Sequence, residues 1–151
     1  MFVLIATAFT QNSFAQDSLK NQPSQLLTTY YAIKDALVAS NATLAASNAV
    51  ELVKAINSSD QQTLNDAARE SLIKDAGAIS QSKDIKLQRE RFASLSTAMF
   101  EVAKGIKLSA DPVYQQYCPM KKASWLSRDK AIKNPYYGSA MLTCGSVKTT
   151  L

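Results

Sequence analysis

The chain has 151 residues, a formal net charge of +5, no histidine and two cysteines. Because it has no histidine, the chain has no Ser-His or Cys-His catalytic pair and no zinc site of the common histidine type. It also has no glycine-rich phosphate-binding motif. We therefore expect a binding protein and not an enzyme. The excess positive charge lies entirely C-terminal to residue 111. Because no RNA-binding aromatic motif accompanies it, we expect a solvated basic surface and no nucleic-acid partner.

The N-terminus predicts a secretory signal peptide over residues 1–15. Residues 2–9 form an uncharged apolar run, and residues 13–15 have the small-x-small pattern of a cleavage site. The run is too short to cross a bilayer, which needs about 20 residues, so we expect no transmembrane span. The basic segment that normally precedes such a run is missing, so we expect that the true start codon lies upstream or that the chain is truncated. We expect a periplasmic mature protein that begins near residue 16, in an oxidising compartment.

Four amphipathic helices are predicted between residue 23 and residue 106. The first begins at Pro23, which suits a first helical turn, and the second follows a break at residues 40–41. Ser59 and Gln62 fit a capping box at the start of the third helix. The fourth has the clearest pattern, with apolar residues three or four positions apart from Ile85 onward. Because the connections are short, we predict a mainly α fold, an up-and-down four-helix bundle.

Residues 113–151 differ in character from the helices. The runs 113–118 and 146–151 are rich in residues that favour strands, and we predict that they pair as a small two-stranded β element laid against the bundle. An irregular loop with Trp125, Tyr136 and Tyr137 lies between them. We therefore expect residues 16–151 to form a single helical-bundle domain, with residues 113–151 as a C-terminal β/loop appendage.

This appendage holds both cysteines and two methionines of the chain. They are placed symmetrically, as Cys118-x-Met120 and Met141-x-x-Cys144. In a secreted protein, an even number of cysteines is interpreted first as a disulfide. A Cys118–Cys144 bridge would close a loop of about 26 residues and constrain the unfolded chain by roughly 3.5 kcal/mol in the chain-entropy model.

The same four residues are also ligands that a soft metal ion prefers. Thiolate and thioether sulfurs select Cu(I) over harder cations. Methionine is equally a common gap filler beside aromatic rings, so the two thioethers do not decide the question. A disulfide, a metal site and free thiols that serve redox exchange or packing all remain open on the residues alone. The disulfide and the metal site exclude each other because bonded sulfurs cannot ligate an ion as thiolates.

Several segments of the chain match a known bacterial pattern: YYAIKDALV at 30–38, YCPM at 117–120, WLS at 125–127, NPYYG at 134–138 and MLTCG at 141–145. With these segments the chain resembles the family catalogued as domain of unknown function 3347. The resemblance implies an envelope protein with a signal peptide, found alone or associated with adaptor subunits of heavy-metal efflux pumps of the copper and silver type. It therefore favours metal binding.

Two functions are expected from these observations. The first is binding or delivery of a soft metal, Cu(I), linked to a heavy-metal efflux adaptor or another envelope protein. Its ligands would be the thiolates of Cys118 and Cys144 and the thioethers of Met120 and Met141. The alternative is a non-metallic envelope interaction protein, stapled by the Cys118–Cys144 disulfide. The partner surface of this alternative would consist of Trp125, Tyr136, Tyr137, Lys121 and Lys122.

Overall fold

The computed structural model describes the backbone of residues 14–151 and the side chains from Pro23 onward. Apart from its last two residues, the predicted signal peptide lies outside this range. The first helix, α1, covers Phe14–Val38 and therefore begins well before the predicted start at Pro23. Pro23 lies inside it, where a proline removes one hydrogen bond from the helical ladder. The prediction failed at this boundary because proline is more often found in a first helical turn.

Three further helices complete a four-helix bundle, and each helix packs against its neighbour in the chain: α2 covers Ala42–Ser58, α3 covers Asp66–Ser80 and α4 covers Ile85–Gly105. Asn41, Asn65 and Asp84 cap their N-termini by accepting hydrogen bonds from backbone N–H groups. The predicted capping box does not start α3, because the Ser59 hydroxyl donates to the Ala55 carbonyl instead. Within residues 14–151, none of the helices has the length and apolar character that a membrane crossing requires.

The C-terminal segment forms a three-stranded antiparallel sheet in the order β2-β1-β3, with β1 at Tyr114–Cys118, β2 at Ala123–Ser127 and β3 at Ser146–Thr150. The predicted pairing of the first and last strands is confirmed. The predicted two-stranded element is wrong, because β2 adds a third strand inside the predicted irregular loop. Its sequence, Ala-Ser-Trp-Leu-Ser, contains no β-branched residue, so the strand propensity of this stretch is weak.

A tight turn makes the third strand possible. The Lys122 N–H donates to the Cys118 carbonyl at 2.8 Å, which reverses the chain between β1 and β2. Lys122 has φ of +56°, a left-handed conformation that residues other than glycine adopt only occasionally. The turn therefore holds β2 next to β1 and sets the position of residues 119–122 beside the first cysteine.

One hydrophobic core joins the helices and the sheet. The Tyr30 ring of α1 stacks on Phe92 of α4, with centroids 5.1 Å apart. Tyr136 lies next to Phe92 at 6.1 Å, and Trp125 of β2 meets Tyr136 edge to face at 5.9 Å. The backbone N–H of Leu126 donates to the Tyr30 hydroxyl at 3.0 Å. This chain of aromatic contacts fixes the sheet against α1 and α4.

Candidate functional site: a cysteine pair at the sheet

The two cysteines lie side by side at one end of the sheet. Cys118 is the last residue of β1, Cys144 precedes β3, and their Sγ atoms are 3.0 Å apart, with both thiols free. A disulfide requires about 2.05 Å. Two thiolates on one three-coordinate ion would lie about 4.0 Å apart, from metal–sulfur bonds of about 2.3 Å at about 120°. The sulfurs are therefore in contact, and a shift of about 1 Å or less would reach either arrangement.

Local structure brings Cys144 to this position. The side chain of Asn134 is fully buried and donates to the Cys144 carbonyl at 2.8 Å, while the Asn134 N–H donates to the Leu142 carbonyl at 2.8 Å. Gly145 has φ of +150°, and a Cβ there would lie 2.9 Å from the Trp125 ring. Glycine therefore lets the backbone pass close over the tryptophan, so that the preceding cysteine reaches Cys118.

The two thiols differ in exposure and acidity. Cys118 is fully buried, whereas Cys144 is partly exposed. Burial alone would raise the pKa of Cys118, but hydrogen bonds from the Cys144 thiol, from the backbone N–H groups of Lys121 and Met120 and from the Asn134 side chain outweigh it, so the pKa is lowered. The pKa of Cys144 is raised because its thiol donates to Cys118 and because it is partly desolvated. Cys118 is therefore the sulfur that loses its proton first.

The two thioethers differ in exposure. Met120 lies in the turn between β1 and β2 and is 64 % exposed. Met141 ends a short 3₁₀ helix at Gly138–Met141 and is partly buried. Among the side chains that the structure describes, from residue 23 onward, no three of histidine, cysteine, aspartate or glutamate are grouped so that they could hold a metal ion. Protein ligands at the pair would thus be all sulfur, which suits a soft ion of low coordination number such as Cu(I) and does not suit a hard cation.

Comparison with known protein families identifies the family of the helical scaffold that carries this cysteine pair. A family model described as Protein of unknown function (DUF3347) matches residues 26–111, more than half of the chain. The chain belongs to this family. The resemblance expected from the sequence is thereby confirmed, although the matched region ends before β1 and leaves the cysteines of this DUF3347 protein outside it. No curated protein and no solved structure matches the chain significantly.

The residues predicted as a partner surface are divided between the core and the surface of this DUF3347 protein. Trp125 and Tyr136 are 1 % and 4 % exposed and lie in the aromatic core, so the structure corrects their assignment to a surface. Large aromatic rings bury much apolar area when they pack, and here Phe92 and its neighbours provide that packing. Tyr137 and Lys121 are half-buried and Lys122 is exposed.

Sequence reasoning did not identify Asn134 or the backbone donors of the turn as parts of the site. Asn134 accepts a hydrogen bond from the Tyr136 N–H at 2.8 Å, as asparagines in Asn-Pro turns commonly do. The Asn-Pro pair is a sequence signal for that turn. Nothing in the pattern indicates that the same side chain also reaches the Cys144 carbonyl, which is ten residues away in the chain.

Proposed function

We propose that this DUF3347 protein binds a soft metal ion, Cu(I), at the Cys118–Cys144 pair. The observation that carries the proposal is the contact of the two sulfurs at 3.0 Å, and hydrogen bonds to Cys118 lower the pKa of its thiol. Copper(I) prefers thiolate ligands and accepts two or three of them. The ion would enter beside Cys144, the partly exposed sulfur, and the protons of both thiols would leave as it binds.

The exposed Met120 is the third ligand in this proposal. Its side chain has three rotatable bonds and no close packing at 64 % exposure, so it can turn toward the pair with little loss of packing energy. Met141 is half-buried and restricted by the 3₁₀ helix that it ends, so we propose a smaller contribution from it.

The cellular setting is part of the same proposal. The family resemblance and the apolar N-terminal run support a periplasmic protein with a signal peptide over residues 1–15 and a heavy-metal efflux adaptor or another envelope protein as partner. The short connections between successive helices support an up-and-down bundle that carries the site.

The direct test is titration of Cu(I) into reduced protein in competition with a coloured Cu(I) chelator. We expect one ion per chain, loss of high-affinity binding in Cys118→Ser and in Cys144→Ser, and weaker binding in Met120→Leu. Met99→Leu is the matched control, because Met99 is buried in α4 and a leucine of similar volume is tolerated there. Absence of copper uptake by fully reduced protein would exclude the proposal, and an unchanged affinity in Met120→Leu would exclude the thioether ligand.

A disulfide staple is the second candidate, because the same sulfur contact also favours oxidation. Loss of two electrons and two protons to an envelope thiol oxidant would join β1 to the segment before β3 and close a loop of 26 residues, which contributes roughly 3.5 kcal/mol in the chain-entropy model. The protein would then act as a non-metallic envelope interaction protein, with Tyr137, Lys121 and Lys122 as its available partner surface. Protein purified from the periplasm without reductant, with no free thiols and no copper uptake after reduction, would favour this candidate.

A further inference from the structure

We propose that the Cys118–Cys144 pair, once oxidised, exchanges with dithiols, with Cys144 as the sulfur that is attacked and Cys118 as the leaving thiolate. The protein would thereby act as a dithiol oxidant in its oxidised, metal-free form, whereas the same two sulfurs would bind metal only in the reduced form. Three features of the pair support this proposal: the sulfur contact, the unequal access to the two sulfurs, and the Lys121 N–H that points to the sulfur of Cys118.

Unequal access fixes the direction of attack. Thiol–disulfide exchange requires the incoming thiolate to reach a disulfide sulfur, and the rate depends on access to it. The Cys118 side chain is fully buried in the core formed by β1 and its neighbours, whereas Cys144 is partly exposed. A dithiol can therefore approach Cys144 only.

The turn between β1 and β2 makes Cys118 the better leaving group. The Lys121 N–H points to the Cys118 Sγ at 3.5 Å. The Lys122 N–H holds the turn closed on the Cys118 carbonyl at 2.8 Å. Backbone donors aimed at a sulfur favour its thiolate, and a more acidic thiol leaves faster. The charges of the two lysines in the turn also attract an approaching thiolate.

The exchange proceeds in two steps, in which atoms and electrons balance. A thiolate of the dithiol attacks the Cys144 Sγ, the Cys144–Cys118 bond breaks, and its electron pair remains on Cys118 as the thiolate. The first sulfur of the dithiol is now bonded to Cys144 in a mixed disulfide. The second thiolate of the dithiol attacks that first sulfur and releases Cys144, which takes up a proton. The dithiol has lost two electrons and two protons, and the pair has gained the two electrons. No histidine base is needed because each nucleophile is already a thiolate.

Single-cysteine variants test the direction of attack. Metal-free Cys118→Ser and Cys144→Ser are treated with a coloured aromatic disulfide in the presence of a metal chelator, first folded and then in denaturant. We expect Cys118→Ser, which keeps Cys144, to react at least about tenfold faster than Cys144→Ser when folded, and the two rates to become similar in denaturant. Equal rates in the folded state, or a faster reaction at Cys118, would overturn the proposal.

Reaction of the oxidised wild-type protein with dithiothreitol tests the exchange itself. The oxidised protein is mixed with a modest excess of dithiothreitol in chelator, and free thiols are counted over time while circular dichroism monitors the fold. We expect reduction without loss of the fold. A pair that is reduced only after unfolding is a buried structural disulfide and would refute exchange. Because this assay contains no metal, its failure would leave copper binding by reduced protein untouched, and failure of the copper titration would leave the exchange result standing.

Discussion

At the scale of single residues, Gly138 shows how the loop before β3 is held on the helices. It has φ of +57°, and a Cβ there would lie 2.8 Å from the Ser40 Oγ and 2.9 Å from the Val38 carbonyl oxygen. The backbone oxygen cannot move away as a flexible side chain can. Gly138→Ala should therefore lower the free energy of unfolding by about 2 kcal/mol, from the left-handed conformation and the close contacts together. Urea unfolding followed by circular dichroism measures the change.

Gly77 supplies the matched control for that substitution. It lies inside α3, and a Cβ there meets no atom within 4 Å. Gly77→Ala should raise the free energy of unfolding by up to about 1 kcal/mol because alanine is the better helix former. Equal effects of the two substitutions would contradict the close packing of Gly138 on the end of α1.

The cysteine pair should make the stability of the reduced protein depend on pH. The thiols of an unfolded chain titrate near pH 8.5, while folding lowers the pKa of Cys118 and raises that of Cys144. Up to about pH 8.5 the folded state has released more protons than the unfolded state, so the contribution of the pair rises with pH. Above about pH 8.5 the unfolded chain loses both protons while Cys144 keeps its own, so the contribution falls.

The measurement compares reduced wild-type protein with the double variant Cys118→Ser/Cys144→Ser. The difference in their free energies of unfolding should pass through a maximum near pH 8.5. Other titrating groups are common to both proteins and cancel in that difference. A difference that is constant between neutral and alkaline pH would show that the two thiols do not share a proton.

At the scale of elements, Tyr30 connects α1 to α4 and to the sheet. Its hydroxyl lies 2.7 Å from the Ser96 Oγ and accepts from the Leu126 N–H at 3.0 Å, in a fully buried setting. Tyr30→Phe removes both hydrogen bonds and leaves a buried backbone N–H without a partner. The free energy of unfolding should fall by about 2 kcal/mol, as measured by urea unfolding.

Tyr31 is a control on the same helix. Its hydroxyl is buried and has no hydrogen-bond partner in the part of the chain that the structure describes. Tyr31→Phe removes an unpaired polar group and preserves the ring that Lys34 and Arg128 approach. Stability should therefore stay within about 0.5 kcal/mol of wild type or rise slightly. A loss as large as that of Tyr30→Phe would mean that the cost of removing a tyrosine hydroxyl here does not come from the hydrogen bonds that it makes.

The same elements show what the sequence could and could not predict. The helices were predictable because their apolar periodicity is local, and the β1–β3 pair was predictable from two β-prone runs. The strand β2 was not, because Ala-Ser-Trp-Leu-Ser becomes a strand through its pairing with β1 and its contact with α4. The sequence predicted the adjacent cysteines as a pair. The packing of Trp125 on Tyr136 and the reach of Asn134 to the Cys144 carbonyl join residues ten or more positions apart, which no local pattern encodes.

At the scale of the whole molecule, the region that the family model matches ends earlier in the chain than the hydrophobic core does. The match ends at residue 111, yet the core continues into β2 and the loop that follows, through Trp125, Leu126 and Tyr136. Loss of these side chains would expose Tyr30 and Phe92, two of the largest buried residues of the helices. The helices and the sheet therefore depend on each other for burial, and the cysteine pair is held by a scaffold that should unfold as one unit.

Trp125 provides the test, because it is the single tryptophan of the chain and lies in β2. In reductant, tryptophan fluorescence follows the sheet and far-ultraviolet circular dichroism follows the helices during urea unfolding. We expect the same midpoint from both probes, since one core contains both elements. Leu126→Ala removes a fully buried side chain of β2. It should lower the free energy of unfolding by about 2–5 kcal/mol and shift both urea midpoints down together. If the fluorescence transition came first, or if Leu126→Ala shifted that transition alone, the sheet would be an independent appendage and the geometry of the cysteine pair would not depend on the helices.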